Sequence, residues 1–357
     1  MAVGGFAFAQ DGGESPTWQA FGNGSLTVPE LSFARRGGET WLTVNLLPDV
    51  DDTADGLLER VERRLAELRA EPLPLLDPAP IGTFRVHSPM PPSHYEEAVT
   101  RAVERIRAGE LEKIVLAREV QVTGPAAHDP GAVFGALRDG FSSCLVYAVG
   151  RGVETFVGAS PELLVRREGH RASTVALAGS IRRSADPAID DHLGEALVHS
   201  DKDRRENAIV ARRIAVGLAA YSVWVTAAPE PVLIRVANIQ HLAIPIRAQL
   251  ARPVGVVELA GALHPTPAVG GEPLPVADRL IPALEGLDRG WYAGPIGWTD
   301  LTGDGEFCVA LRGAVLRGAS ASCFVGCGIV LGSDPAAELA ESEVKLGTML
   351  PLLSGRA

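Results

Sequence analysis

The order of its strand-like and helix-like segments is the feature of this 357-residue sequence that most limits its fold. Runs rich in β-branched residues outnumber amphipathic runs with helical spacing, and the two kinds do not alternate regularly along the chain. A doubly wound parallel sheet requires such alternation, because each parallel crossover usually carries a helix. The sequence therefore predicts an α+β fold with large antiparallel sheets.

Individual elements can be assigned from the same patterns. We predict strands at the chain start and at 111–122, 143–149, 154–166, 232–237, 254–259 and 306–330. We predict helices at 53–70, 94–108, 130–138, 187–219, 274–284 and 335–352. The proline-rich segment from Glu71 to Pro92 indicates a connection. The segment 289–299 is rich in glycine and aromatic residues, as expected where backbone turns tightly or approaches a ligand.

Charge and hydropathy exclude several classes of protein. The formal net charge is −11 and basic residues form no run, which argues against nucleic-acid binding. No apolar run reaches the roughly 18 residues of a transmembrane helix, and the apolar first residues lack the basic flank of a signal peptide. The four cysteines are scattered without a CxxC pair, which is typical of free thiols. We therefore expect a cytoplasmic protein that binds neither nucleic acid nor membrane.

Lys113 is a charged residue inside a strand-like apolar run. On a strand it shares a face with Val115 and Ala117. If that face is buried, the charged ammonium is disfavoured and the amine can act as a general base. The alternative is a solvent-exposed lysine on an edge strand.

Glu162 lies between the turn-forming pair Ser160-Pro161 and an apolar run. In an apolar site a carboxyl group keeps its proton to higher pH and can act as a general acid. The alternative is a turn carboxylate exposed to water.

Two predicted helices each present a carboxylate face. Asp203 and Glu206 are three residues apart, and Glu338, Glu341 and Lys345 follow at helical spacing on the last helix. Two such faces could hold one Mg²⁺, which prefers a few carboxylates together with water and substrate oxygens. The alternative for each face is an ordinary solvated helix surface.

Further residues could receive an anionic substrate. Arg312 lies inside an apolar strand, where a planar guanidinium suits a carboxylate, unless it extends from an edge strand into solvent. Gly326 and Gly328 could expose backbone amides to the same kind of group. His241 could be a site residue or a hydrogen-bonded core histidine.

The order and spacing of these motifs resemble the chorismate-binding family, which contains isochorismate, salicylate, anthranilate and aminodeoxychorismate synthases. The motifs are KIVLAR, ASPELL, LAGSIRR, DKDRREN, IQHL, HPTPAVGG, GPIG, ALRGA, GCGIV and GSDPAAELAESEVK. The resemblance covers about 90–355, and the first quarter adds only a weak similarity at GGFAF.

The resemblance implies a fold, a substrate and a metal. It predicts one chorismate-binding domain over 1–357, with a weakly matching part at 1–89 and a catalytic core at 90–355. In this fold two large antiparallel sheets sandwich a deep active-site cleft, with helices packed outside. The substrate would be chorismate and the cofactor Mg²⁺.

The resemblance also assigns roles to residues. Lys113 and Glu162 would be catalytic. Glu206 and Glu341 would be the magnesium ligands, with Asp203 and Glu338 as neighbouring alternatives. The predicted substrate-binding residues are Gly179, His241, Ala268, Arg312, Gly326, Gly328 and Lys345. One position departs from the family pattern, because Asn207 stands where many members place a histidine.

A few positions distinguish the subfamilies of this family from one another. Members that use water as the nucleophile keep a lysine at Lys113, whereas members that use ammonia carry glutamine there. Ala178 stands where aminodeoxychorismate synthases often place a nucleophilic lysine. The stretch around Ala268 is similar to isochorismate synthases, whereas salicylate synthases more often carry a threonine-containing variant there. We therefore predict an isochorismate synthase.

This prediction leaves two alternatives, a salicylate synthase and a catalytically silent chorismate-binding protein. The predicted enzyme needs no glutaminase subunit, because ammonia is not its nucleophile. No coiled coil or obvious apolar patch appears, so we expect a monomer. The product would feed siderophore or menaquinone biosynthesis.

Overall fold

The computed structural model describes residues 1–69, 71–77 and 80–355. The helices are α1 Ala54–Ala66, α2 Pro92–Arg107, α3 Pro130–Gly140, α4 Pro187–Val198, α5 Asp201–Ala219, α6 Val256–Leu263, α7 Leu274–Glu285, α8 Pro335–Leu346 and α9 Leu350–Ser354. The strands are β1 Ala2–Phe6, β2 Gly24–Thr27, β3 Leu31–Arg36, β4 Glu39–Val44, β5 Arg85–His87, β6 Lys113–Thr123, β7 Leu145–Arg151, β8 Glu154–Ser160, β9 Leu163–Glu168, β10 Arg171–Arg182, β11 Ser222–Ala227, β12 Val232–Arg235, β13 Ile239–Leu250, β14 Gly271–Glu272, β15 Pro295–Thr299, β16 Gly305–Val309, β17 Gly313–Arg317 and β18 Ser320–Val330.

Two large antiparallel sheets form the body of the protein. The first has the order β11-β13-β10-β9-β16-β15-β1-β2, with β12 also paired to β13. The second has the order β14-β6-β18-β17-β8-β7, with β5 also paired to β6. Helices pack on these sheets, among them α5 on the first and α2, α7 and α8 on the second. The predicted α+β class, with two antiparallel sheets and outer helices, is confirmed.

The central strands of the second sheet are buried on both faces. β6 and β18 pair over eleven residues, from Lys113 opposite Val330 to Thr123 opposite Ser320. Continuous burial explains why the β6 sequence is an apolar run rather than an alternating one. A lysine at its start is therefore placed in the interior.

The predicted strand at 154–166 is two strands in different sheets. β8 belongs to the second sheet and β9 to the first, so the chain crosses between them at Pro161-Glu162. Proline cannot donate to a ladder and favours such a break. This crossover puts Glu162 between the two sheets.

The predicted strand at 254–259 is wrong, because the segment is mainly the start of helix α6. Its valines suggested a strand, but the buried side chains of Val256, Leu259, Ala260 and Leu263 follow helical spacing. The long strands β10 and β13 were not predicted. β13 contains Pro245 at a position paired with Val175, and a proline within a run weakens a strand prediction.

Several helices also begin or end at residues other than the predicted ones. The segment 187–219 divides into α4 and α5 at His199-Ser200, because Ser200 caps α5, and 335–352 divides into α8 and α9. Helix 53–70 is α1 and ends at Ala66, and position 70 lies outside the described residues. The predicted connection at 71–92 contains the short strand β5, and 78–79 lie outside the described residues. Among the described residues, none of the helices combines the length and the hydropathy that a membrane-spanning segment requires.

Candidate active site

A cleft that is partly open to solvent lies between the two sheets. The first sheet contributes Leu177–Ser180 and His241, and the second contributes Val115, Gly326 and Gly328. Ten predicted site residues line it, namely Glu162, Gly179, Glu206, His241, Ala268, Arg312, Gly326, Gly328, Glu341 and Lys345. Residues far apart in sequence therefore meet in one cavity.

The remaining three predicted residues contact the lining. Lys113 lies beside Glu206, and Glu338 lies one turn before Glu341 on α8. Asp203 packs against Gly179 so closely that a Cβ on this glycine would lie 2.9 Å from the Cβ of Asp203. The structure thus brings all thirteen predicted positions to one region.

Helix α5 delivers Glu206 to the cleft. The helix starts at Ser200, whose hydroxyl accepts a hydrogen bond from the backbone N–H of Asp203. Asn207, the departure from the family pattern, is fully buried next to Glu206. Its Nδ2 donates to the backbone oxygens of Ala176, Ala178 and Leu242 at 3.0–3.1 Å. This amide ties α5 to the adjacent strands β10 and β13.

A β-bulge shapes the floor of the cleft. The register between β10 and β13 shifts between Ala178 and Ser180, and Gly179 adopts a φ of +78°. Glycine adopts this left-handed conformation without steric cost. The bulge allows the Ser180 hydroxyl to donate to Oε1 of Glu341 at 2.7 Å. Strand β10 and helix α8 are thereby joined at a candidate metal ligand.

Helix α8 supplies the second acidic face. Its N-cap Asp334 accepts from the N–H of Ala337 at 2.9 Å, and Pro335 occupies the first turn. Glu338 and Glu341 are three residues apart and therefore share a face of the helix. Sγ of Cys327 lies within 4.8 Å of ligand atoms of both carboxylates.

Three glutamates on helices α5 and α8 each form an ion pair with a lysine. The pairs are Lys113–Glu206, Lys202–Glu338 and Lys345–Glu341, with N–O distances of 2.9, 2.8 and 2.7 Å. The sequence motifs had not singled out Lys202. Its position one residue before Asp203 was the available signal.

Lys113 is completely buried, so the exposed-edge alternative is excluded. Its Nζ lies 2.9 Å from Oε1 of Glu206, yet it makes no hydrogen bond of acceptable angle within the described ranges. The two groups therefore form an ion-pair contact in which the ammonium keeps unused hydrogen-bond donors. A buried amine with a free donor position can bind a water molecule or a substrate group.

Glu162 is also buried, which excludes the exposed-turn alternative. Its backbone N–H donates to Oγ of Ser160 at 3.1 Å, and its carbonyl accepts from the N–H of Val309 at 3.0 Å. Burial raises the pKa of its carboxyl group to about 7, against the opposing positive charges of Lys113 and Arg312. This carboxyl can therefore hold a proton near neutral pH.

Arg312 has a strained backbone. Its φ of +52° is in the left-handed region that non-glycine residues rarely adopt. Such strain is concentrated at functional sites, where surrounding structure maintains it. Burial lowers the pKa of its guanidinium from the usual value, although arginine remains charged at neutral pH.

His241 is a neutral imidazole at the edge of the bulge. Burial lowers its pKa to about 3, and the charges of Arg312 and Lys345 act in the same direction. Its ring interacts with the backbone of Gly179, while Nε2 is buried without a hydrogen-bond partner in the described part of the chain. A buried ring nitrogen without a partner is available to a ligand hydroxyl.

Tyr292 is a lining residue that the sequence interpretation did not name. It belongs to the glycine- and aromatic-rich segment 289–299, which was the signal that could have identified it. Burial raises the pKa of its phenol to about 12, so it remains a hydrogen-bond donor. Its hydroxyl lies near Gly326, where an added Cβ would approach to 3.2 Å.

A buried ion pair supports two walls of the cleft. Arg289 pairs with Glu285 and donates to the backbone oxygens of Val115 at 2.9 Å and Val269 at 2.7 Å. The Glu285 carboxylate also accepts from the N–H of Ala117 at 2.7 Å. Strand β6 and the loop that carries Val269 are therefore fixed relative to each other.

Gly328 permits the contact between Lys113 and Glu206. An added Cβ would lie 2.1 Å from Oε1 of Glu206 and 3.0 Å from Cε of Lys113. We expect Gly328→Ala to displace both side chains and to reduce turnover by about 10²-fold or more, an effect comparable to misplacing a reacting group by 1 Å. Steady-state kinetics of the purified variant would measure this loss.

Gly150→Ala is the control, because the nearest atom to an added Cβ there is 3.9 Å away. This variant should keep normal turnover. Wild-type rates in Gly328→Ala would contradict the proposed dependence on the Lys113–Glu206 arrangement.

The donor set fits a hard divalent cation. Ligand atoms of Glu338 and Glu341 lie within 4.8 Å of each other and of Sγ of Cys327, and Asp203 lies within electrostatic range of Glu206 and Glu341. These carboxylates offer the oxygen ligands that Mg²⁺ prefers. Burial alone would raise the pKa of Glu341, but Lys345 and Ser180 hold it at about 2. Burial and the nearby Glu341 raise the pKa of Glu338. A cation would reduce this repulsion between neighbouring carboxylates.

Comparison with known families finds one match across nearly the whole chain. A family described as "Chorismate binding enzyme" matches residues 1–354. Pseudomonas aeruginosa "Salicylate biosynthesis isochorismate synthase" is 39% identical over 98% of this chain and 74% of its own. Bacillus subtilis "Isochorismate synthase MenF" is 34% identical over 99% of this chain and 75% of its own.

Solved structures also superimpose on nearly the whole of this chain. MenF, the menaquinone-specific isochorismate synthase of Escherichia coli, superimposes with a TM-score of 0.86 at 31% identity, over 99% of this chain and 78% of that one. Anthranilate synthase component I from Streptococcus pneumoniae superimposes with a TM-score of 0.77 at 23% identity, over 96% of this chain and 79% of that one. The second comparison supports the fold alone.

Proposed function

Because the chain belongs to the chorismate-binding enzyme family, we propose that it is an isochorismate synthase. In this reaction water adds to C2 of chorismate, the ring double bonds shift, and the hydroxyl group leaves C4. The observation that carries the proposal is a buried lysine and a buried, protonatable carboxyl group in one cleft. A protein that only binds chorismate has no need of such a pair.

Lys113 is the proposed general base. The unprotonated form of its amine removes a proton from the attacking water, and a positioned base of this kind contributes about 10²–10⁴ in rate. The adjacent Glu206 stabilises the ammonium that forms. Lysine rather than glutamine at this position supports water over ammonia as the nucleophile.

Glu162 is the proposed general acid. With a pKa of about 7, it is substantially protonated at neutral pH and can donate to the departing C4 hydroxyl. The proton removed by Lys113 and the proton donated by Glu162 balance, so the reaction is an isomerisation. The crossover between the sheets holds the carboxyl in place.

Arg312, Lys345 and Tyr292 are proposed to bind the two carboxylates of chorismate. The guanidinium offers bidentate hydrogen bonds and the phenol a neutral donor. Gly326 and Gly328 allow the substrate to approach the backbone of β18, and His241 is available for a hydroxyl group. In an acidic protein this local positive charge is needed to attract a dianion.

Glu206 and Glu341 are the proposed ligands of Mg²⁺, with Asp203 and Glu338 as nearby acidic groups. When bound, Mg²⁺ supplies positive charge that offsets a substrate carboxylate and fixes its position. Ser180 orients Glu341 for this task.

We further propose that the protein acts as a cytoplasmic monomer without a glutaminase subunit. Water needs no separate ammonia-generating partner. The relatives named for menaquinone and salicylate formation support a role in menaquinone or siderophore biosynthesis.

A product assay tests this proposal. Purified protein incubated with chorismate and Mg²⁺ should form isochorismate, resolved by chromatography, and EDTA should abolish its formation. Formation of salicylate and pyruvate would favour the salicylate synthase alternative, to which the Ala268 region is relevant. Chorismate binding without conversion would indicate the silent binding protein and contradict the proposal.

A further inference from the structure

Lysine is confined to the cleft region in this chain. Of its 33 basic residues only three are lysines, Lys113, Lys202 and Lys345, and the others are arginines. Each lysine pairs with a different carboxylate of the acidic cluster formed by Glu206, Glu338 and Glu341. The ion pairs recorded elsewhere in the described ranges use arginine.

Two of these lysines are fixed in the interior. Lys113 has no exposed side-chain surface, and Lys345 has 10%. Lys345 also donates to the backbone oxygen of Gly326 at 3.0 Å and contacts Sγ of Cys327 at 3.6 Å. Both already have proposed roles toward water or substrate.

Lys202 differs from both. Its side chain is 40% exposed and it does not line the cleft, whereas its partner Glu338 is 2% exposed. Glu338 is the single hydrogen-bond partner recorded for its ammonium within the described residues. The ammonium can therefore rotate into solvent while the carboxylate stays in the interior.

We propose that Lys202 is the resident counter-ion of the acidic cluster, which neutralises Glu338 until a divalent cation binds and then moves into solvent. This inference rests on the proposed magnesium site. In this role Lys202 holds Glu338 in position and competes with the cation for it. Lys202 takes no part in the chemical steps.

The residue type suits this role. A lysine ammonium is a compact, strongly hydrated charge on a flexible stem, whereas an arginine guanidinium forms a planar fork that holds a carboxylate by two hydrogen bonds. A readily hydrated charge is released to water more easily than a bidentate one. This accounts for a lysine here on a helix whose other basic residues are arginines.

Removal of this competing charge should strengthen cation binding. We expect Lys202→Met to bind Mn²⁺ and Mg²⁺ about tenfold more tightly than the wild-type protein, because no ion pair has to be broken and one nearby positive charge is absent. Lys202→Gln should behave in the same way, and Lys202→Arg should bind no more tightly than wild type.

Binding is measured without turnover, at pH 8 in the absence of chorismate. MnCl₂ is titrated into the protein, free Mn²⁺ is followed by its paramagnetic resonance signal, and MgCl₂ is added as a competitor. Arg204→Met is the matched control, since Arg204 lies on the same helix, is also 40% exposed, and pairs with Glu230 at 2.7 Å. This variant removes the same net charge and should bind with wild-type affinity.

A second measurement follows Lys202 in the unmodified protein. Because the chain has only three lysines, acetylation by an N-hydroxysuccinimide ester can be read by mass spectrometry at each one. Saturating Mg²⁺ should increase the acetylation rate of Lys202 several-fold, while buried Lys113 stays unreactive.

The outcomes distinguish failure of the proposed magnesium site from failure of the proposed counter-ion role of Lys202. If the wild-type protein binds neither cation, the proposed metal site itself is wrong and the inference falls with it. If wild type binds but Lys202→Met and Lys202→Gln bind equally or more weakly, or if Mg²⁺ leaves acetylation of Lys202 unchanged, the counter-ion role is overturned while the magnesium site stands.

Discussion

Lys113→Gln is expected to fold normally and to lose about 10²–10⁴ of its turnover, the contribution of one positioned general base. Glutamine preserves much of the side-chain volume but cannot remove a proton from water. The KM for chorismate should change much less than kcat, because Lys113 acts on the nucleophile rather than on the substrate carboxylates. Steady-state kinetics on protein of verified thermal stability measure both parameters.

Arg118→Gln is the control for loss of a buried cation on the same strand. Arg118 also lies in β6 and is buried, but it pairs with Glu343 and donates to Ser342 away from the cleft. This variant should lose stability and keep its turnover. Near-normal turnover in Lys113→Gln would rule out Lys113 as the base.

Glu162→Gln is expected to lose a comparable factor, because an amide cannot protonate the departing hydroxyl. The pH profile gives a second signature. The acid works when protonated, so the wild-type rate should fall above the pKa of about 7, by about tenfold per pH unit. The residual rate of Glu162→Gln should lack this alkaline decrease.

Glu154→Gln provides the matched carboxyl control. Glu154 begins β8, the strand that leads to Glu162, and it pairs with Arg317 at 2.6 Å outside the cleft. Its neutralisation should leave the pH profile unchanged. An alkaline decrease that persists in Glu162→Gln would assign that ionisation to another group.

The fold class followed from the sequence because strand-like segments outnumber helix-like ones and do not alternate with them regularly, which favours antiparallel sheets. Assignment of each strand to a sheet did not follow. The segment 154–166 has one continuous pattern, yet its halves lie in different sheets, and only the crossover shows why Glu162 is buried. The valines at 256 and 257 suggested a strand, whereas packing selects helix α6.

Each site residue, taken alone, was weak evidence for a functional site, and only the order of the motifs along the chain made the prediction specific. A lysine in an apolar run or two glutamates on a helix have ordinary structural explanations, and periodicity cannot show which faces meet. The bulge at Gly179, which brings Ser180 to Glu341, depends on strand register across more than sixty residues. Lys202 had no apolar context to distinguish it, and its pairing with Glu338 is visible only in three dimensions.

The most direct test of water addition at C2 is the fate of solvent oxygen. Chorismate is incubated with the purified enzyme and Mg²⁺ in water enriched in oxygen-18, and the product is isolated by chromatography and analysed by mass spectrometry. Water addition at C2 predicts isochorismate that carries one solvent oxygen at C2, and about 10²–10⁴ times less labelled product from Lys113→Gln on the same timescale. Isochorismate without the label, or an aminated or aromatic product, would contradict water addition at C2 as the reaction of this cleft.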